Sequence, residues 1–334
     1  MCLQFIATRS CQIKHCVATA MHLRPLLLLC GQLLACLLLA QASQADAINN
    51  AQSEQQQNND AAMPVTLWAG KAARGLYEIA LLSAILDSTA DHYPSYKLSV
   101  NNAPLGTLRG RQVIAEGKLA NVYVSGLRED QYTRDNTILL IRQPVMKGLL
   151  GYRAAIIRQG DDQRYAQAAA EHDLRNLIIG QGHSWEDAAI LRHNGFTIND
   201  NGRFETMFEM LAYARFDAIF LGVAEIEQEF SANKLHEQLT IAYQPIIYYP
   251  HAMVFQVSGK HPELAQRIEQ GFKIVSDNGT HDQLLKQYFG PAIQRIGDPN
   301  TDILVLTHPN PVLMAELAQP LLAHKPQPIE KSND

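Results

Sequence analysis

Cysteine is absent from residues 37–334, because all five cysteines of this 334-residue chain lie within its first 36 positions. Disulfides, thiolate nucleophiles and thiolate zinc ligands are therefore excluded from the rest of the chain. Its stability must come from burial of apolar side chains. A hydrophobic content of 47% over this length is enough for two domains or lobes.

A surplus of basic residues is also lacking, since 28 Lys and Arg stand against 33 Asp and Glu and the net charge is −5. This balance argues against a general nucleic-acid-binding protein. The serine-hydrolase elbow, the His-Glu-x-x-His zinc motif and the phosphate-binding loop are missing. The 12 histidines show no short ligand spacing. We therefore expect no enzyme activity, no cofactor and no metal site.

The apolar segment at residues 26–40 has the composition of an export signal. Only a glycine and a glutamine interrupt it, three bases and no acid precede it, and small residues follow it. These features predict a signal peptide over residues 1–45 and a location in the periplasm. The three bases are Arg9, Lys14 and Arg24.

Other interpretations of this segment stay open. Fifteen residues are short for a membrane span, which needs about 20, but an uncleaved N-terminal anchor is one alternative. Lipid attachment at Cys36 is another, although the apolar run continues past that residue. Cleavage is expected near Ala42 or Ala45, and Met21 would also serve as a start. Without residues 1–45 the chain keeps 25 bases and 33 acids.

The remaining chain divides into a polar segment, an alternating middle and a C-terminal extension. Residues 46–64 are rich in Gln and Asn, which predicts a flexible linker. Between residues 65 and 292, strand-like runs alternate with helical patterns, as in strand 65–68 followed by helix 72–87. This alternation indicates an α/β fold with largely parallel sheets. Residues 293–334 are predicted to be a partly disordered extension with one helix at 312–323.

Five short motifs occur in a fixed order along residues 174–291. In order and spacing they resemble the periplasmic solute-binding proteins of polar amino-acid uptake, known as family 3. The resemblance implies a two-lobed clamp of the type 2 periplasmic-binding fold, with a central, mainly parallel sheet in each lobe. The motifs are Gly182-His183-Ser184, Ala214-Arg215-Phe216-Asp217-Ala218, Lys260-His261-Pro262-Glu263-Leu264, Asp277-Asn278-Gly279-Thr280 and Lys286-Gln287-Tyr288-Phe289-Gly290.

The same resemblance implies where the lobes and the ligand lie. Lobe 1 is expected at residues 65–147 and 252–292 and lobe 2 at residues 152–248, with crossings near 148–151 and 249–251. The lobes of such clamps close around a bound solute by hinge motion.

The turn at Gly180–Trp185 is a candidate anion site, because a strand ends there in Gly-x-Gly and a helix begins directly after it. Free backbone N–H groups and the helix dipole favour a carboxylate at such a position. His183 and Ser184 would add donors, and Trp185 an aromatic wall. The alternative is a tight turn in which Ser184 only caps the helix.

Three further candidates lie in lobe 1. Ser125 ends a predicted strand, and Arg128 follows it with a guanidinium able to grip a carboxylate. The family's arginine falls later, near Arg134, so a solvated surface role for Arg128 is the alternative. Trp68 is expected to be either an aromatic wall of the site or a core residue.

Gly222 marks a departure from the family, whose members carry an aspartate for the ligand's ammonium group at that position. Glu225 or Glu227 is a candidate substitute, or else the ligand is not a standard α-amino acid.

The sequence as a whole predicts a monomeric, exported protein that binds an amino-acid-like solute or an organic anion for uptake or sensing. Its expected partners are the solute and an inner-membrane permease or receptor, and not nucleic acid. The alternative is a sensor or interaction module on the same fold that binds a protein partner.

Overall fold

The computed structural model describes residues 62–70, 72–103, 107–170, 173–183 and 185–315. The predicted signal peptide, the linker up to residue 61, Ser184 and the chain after residue 315 lie outside these ranges. None of the described helices is long and apolar enough to cross a membrane.

Eleven strands and ten α-helices alternate along the described chain. The strands are β1 (Met63–Trp68), β2 (Tyr96–Asn101), β3 (Val122–Gly126), β4 (Ile138–Ile141), β5 (Tyr152–Arg158), β6 (Ile178–Gly180), β7 (Thr197–Asn199), β8 (Ala218–Gly222), β9 (Leu239–Tyr248), β10 (Met253–Ser258) and β11 (Ile303–Val305). The helices are α1 (Ala73–Asp87), α2 (Thr107–Glu116), α3 (Gln131–Arg134), α4 (Asp162–Ala170), α5 (Glu186–His193), α6 (Phe204–Ala212), α7 (Ile226–Ala232), α8 (Pro262–Asp277), α9 (Thr280–Ile296) and α10 (Pro311–Met314).

The strands form two sheets, and each sheet has one strand that runs against the rest. The first sheet has the order β2-β1-β3-β10-β4, with β10 antiparallel to both neighbours. The second has the order β11-β9-β5-β8-β6-β7, with β5 antiparallel to β8 and β9. We call each sheet with its helices a lobe. The predicted α/β, two-lobed architecture with mainly parallel sheets is confirmed.

Helices α1 and α8 pack together in the core of the first lobe. Helix α8 buries Leu264, Ile268, Phe272 and Val275, which recur at helical spacing and face the core. At Gly271 the helix comes so close to α1 that a Cβ there would lie 2.2 Å from the carbonyl oxygen of Ile85. The absence of a side chain at this position therefore sets the distance between the two helices.

Two neighbouring crossings connect the lobes. The chain leaves β4, passes through a 3₁₀ turn at Leu149–Gly151 and enters β5, and it returns from β9 to β10 through residues 249–252. The crossings lie side by side, because the Tyr249 N–H donates to the Gly151 carbonyl at 3.2 Å. A third connection comes from the C-terminal extension, whose strand β11 pairs in parallel with β9.

Strand β9 is the main element that the sequence pattern does not reveal. Pro245 lies within it, and proline normally argues against an interior strand. The structure places this residue beside an irregularity in the pairing of β5 with β9, between Arg153 and Ala155, where the regular ladder is interrupted.

Substitution of Gly271 by alanine is expected to destabilise the protein by about 1–3 kcal/mol, because the new methyl group would push α8 away from α1. Gly290→Ala is the matched control, since a Cβ there has no atom within 4 Å. Chemical denaturation would measure both free energies of unfolding. Equal stabilities for the two variants would contradict this account of the helix packing.

Candidate ligand-binding cleft

A cavity of about 790 Å³ lies between the lobes and is lined by residues of both. Its volume is within the range of small-molecule sites. The first lobe contributes side chains from α1, α2 and the end of β3, and the second contributes the starts of α5 and α6 and the region around Glu225.

Most of the residues predicted from sequence meet at this cavity. Ser125 and Arg128 line its first-lobe wall, although they are far in sequence from the second-lobe residues opposite. Those are Gly182, His183, Trp185 and Glu225. The turn at Gly182 is tight, since a Cβ on this residue would lie 2.3 Å from the Trp185 indole.

Trp68 lies behind the cavity wall and does not line it. Its side chain is 7% exposed and stacks on Tyr123 at a ring-centroid distance of 4.4 Å. The indole N–H donates to the Ala103 carbonyl at 2.9 Å. Tyr123 itself faces the cavity, so Trp68 acts as the support of an aromatic wall. Ser184, another candidate, lies outside the described residues.

The space at Gly222 is occupied by charged neighbours. A Cβ there would lie 3.1 Å from the Arg153 Nη1 and 3.2 Å from the Glu225 Oε2. The Glu225 carboxylate therefore lies beside the position where the family resemblance implied an aspartate. This geometry favours Glu225 over Glu227, whose carboxylate binds Tyr243 and Arg295 instead.

Arg153 and Asp187 form a buried ion pair at the base of the cleft. Arg153 donates from Nε and Nη2 to Asp187 Oδ1 at 3.0 and 2.8 Å, and the Tyr249 hydroxyl donates to the same oxygen. A further Arg153 N–H reaches the Leu150 carbonyl. Burial raises the pKa of Asp187, but the charge of Arg153 and these hydrogen bonds hold it well below its usual range. The pair thus ties β5, α5 and both crossings together.

Arg74 links the two lobes. It bonds Glu225 of the second lobe at 3.0 Å and Glu78 of its own helix at 3.5 Å. Glu78 is 3% exposed, and this burial raises its pKa to about 7 although Arg74 acts in the opposite direction. Next to this pair, the Ala73 N–H donates to the Gln228 side chain at 3.0 Å.

Glu186 points from the start of α5 toward the first lobe. Its carboxylate lies 3.8 Å from His251 Nδ1 and 3.7 Å from His308 Nε2, two buried histidines, the second of which belongs to the C-terminal extension. A Cβ on Gly126 would lie 2.9 Å from Glu186 Oε2. Burial raises the pKa of Glu186, but His308, His251 and Arg128 together bring it below its usual value.

The two walls of the cavity carry charges of opposite sign. The first-lobe wall has four arginines and, among the described residues, no acid. All five acidic residues that line the cavity belong to the second lobe, together with two arginines. The four arginines are Arg74, Arg109, Arg111 and Arg128, and the acids are Glu186, Asp187, Glu205, Glu225 and Glu229.

Sequence reasoning missed the residues that hold this arrangement together, above all Arg74, Arg153, Asp187 and His251. Only Asp187 carried a usable signal, since it stands with Glu186 in the first turn after the Gly-x-Gly turn. The other three become part of the site through the crossing of distant elements. Within the described ranges there is no group of His, Cys, Asp and Glu side chains suited to holding a metal ion.

Comparisons with known proteins bear on the fold of this chain. No protein-family model and no curated protein sequence matches the chain. The probable amino-acid ABC transporter extracellular-binding protein of Bacillus subtilis is similar in structure, with 13% identity, a TM-score of 0.50, and 69% of this chain and 98% of that one covered. A periplasmic His/Glu/Gln/Arg/opine family-binding protein of Silicibacter pomeroyi in complex with lysine gives 12% identity and a TM-score of 0.49, with coverage of 68% and 97%. The first similarity shows that the chain shares the fold of that extracellular-binding protein.

The buried carboxyl of Glu78 predicts a pH dependence of stability. A folded-state pKa of about 7, against about 4.3 in an unfolded chain, means that only the folded protein keeps this proton between those values. Stability should therefore fall as the pH rises from about 4.5 to 7, by at most about 3 kcal/mol.

Glu78→Gln should flatten this slope, measured by urea denaturation across the pH range. Glu269→Gln, at an exposed position of α8, is the control and should keep it. An unchanged slope in Glu78→Gln would show that other groups cause the dependence.

Proposed function

We propose that this protein binds a small polar solute, amino-acid-like or an organic anion, in the cleft, and that its lobes close around it. The observation that carries the proposal is the opposite charge of the two walls of one cavity. A solute with an anionic group faces arginines on the first lobe, and a cationic group faces carboxylates on the second. Such a molecule bonds to both lobes at once, which favours the closed clamp.

The moving bodies are residues 65–147 with 252–292, and residues 152–248. The two crossings at 148–151 and 249–251 are the hinge, a role supported by their short length and by the left-handed backbone of Gly148 at φ 79°. The Arg74–Glu225 ion pair spans the cleft. A bound ammonium group would share the acidic surface formed by Glu225 and Glu229.

The proposal includes the biological setting. The apolar segment at residues 26–40 directs export, and the monomeric protein binds its solute in the periplasm for an inner-membrane permease or a receptor. Its role is binding and not catalysis, in line with the commitment of the buried Asp187 to Arg153.

Arg128→Ala is expected to weaken solute binding at least about 10-fold, because a charged hydrogen-bond donor to the anionic group is lost. Calorimetry with a panel of amino acids and organic acids first identifies the solute. Arg134→Ala is the control, since this exposed arginine lies near Arg128 in sequence but does not line the cavity.

Unchanged affinity in Arg128→Ala would place the solute elsewhere. Failure of the whole panel to bind the wild-type protein would contradict solute binding and favour the protein-binding module.

A further inference from the structure

The arginines of the first-lobe wall differ in how far their charges are already compensated. Arg74 is paired with Glu78 and Glu225. Arg111 is 1% exposed and donates to Asp130 at 2.8 Å and to Gln256 at 2.7 Å. These two guanidinium groups therefore carry counter-charges from the protein itself.

Arg109 and Arg128 have no such compensation. Neither forms an ion pair or a side-chain hydrogen bond with any part of the chain that the structure describes. They come from different elements, helix α2 and the segment after β3, and both line the cavity. The Arg111 Nε is buried and has no hydrogen-bond partner among the described residues.

The acids of the opposite wall do not supply counter-charges to Arg109 and Arg128. Asp187 is bound to Arg153 and Glu225 to Arg74, while Glu186 is enclosed by two histidines. Glu186 is close enough to Arg128 for the arginine to lower its pKa, but the two do not form an ion pair. The wall of the first lobe thus presents two unpaired positive charges to any solute.

From these contacts we infer that the solute carries two anionic groups, one for Arg128 and one for Arg109. This inference rests on the proposed function and narrows it to a dicarboxylate or an acidic amino acid. Two anionic groups fit better than one because each of the two guanidinium groups lacks a counter-charge of its own among the described residues. Glu229, which forms no ion pair within the described residues, lies near Glu225 and leaves room for one cationic group as well.

The test compares L-glutamate with L-glutamine, which have equal length and differ by one charge, and adds three further probes. The purified full-length chain is titrated with L-glutamate, L-glutamine, glutarate, L-arginine and inorganic phosphate. We expect L-glutamate or glutarate to bind at least about 10-fold more tightly than L-glutamine, because the amide leaves one arginine unpaired. Tight binding of phosphate alone would overturn the assignment of two separate groups.

The variant Arg109→Ala is expected to remove this preference. Arg134→Ala should keep the preference. Tighter binding of L-glutamine or L-arginine, abolished in Arg128→Ala, would overturn the inference but leave solute binding in the cleft intact. No binding of any probe, nor of the wider amino-acid and organic-acid panel, would contradict both.

Discussion

The buried ion pair between Arg153 and Asp187 is the constraint on which the cleft depends. Arg153 stands at the start of β5, where the chain enters the second lobe, and it contacts the first crossing through Leu150 and the second through Tyr249. Asp187 brings the first turn of α5 to the same point. Removal of either partner would leave an uncompensated charge in the interior, which typically costs 3–5 kcal/mol.

Around this pair, the cleft separates positive from negative charge. The net charge of the chain is mildly negative, so an anionic solute gains little from the overall field. An anionic solute is attracted by local charges instead, because four guanidinium groups of the first lobe face the acids of the second across a cavity of about 790 Å³. Charges on opposite walls attract one another, as the Arg74–Glu225 pair shows. A solute that fits must therefore replace or extend a contact that the lobes already make.

The fold was largely predictable from the sequence because strand and helix periods are local properties. The first strand, the helix after it and the Gly-x-Gly turn lie within a few residues of their predicted places. Strand β9 was not predicted, because Pro245 interrupts its strand-like sequence pattern. Its pairing with β5 depends on strands from elsewhere in the chain. The extension after residue 293 likewise gave no sign that β11 would join the second sheet.

The site was predictable only for residues at or just after the end of a predicted strand. Arg128 and His183 are residues of this kind, and both line the cavity. Trp68 also lies at a strand end, but it packs behind Tyr123 and does not line the cavity. Which face of a strand a residue takes depends on neighbours that come from elsewhere in the chain. For the same reason Arg74, on the first turn of α1, gained its importance only through Glu225, which follows it by about 150 residues.

The most direct test of the account is a crystal structure of the protein with the tightest-binding solute of the calorimetric panel. The account predicts closed lobes, with the anionic groups of the solute on Arg128 and Arg109 and any cationic group toward Glu225 and Glu229. A solute bound outside the cleft, or bound in the cleft with its anionic groups on the second lobe, would contradict it.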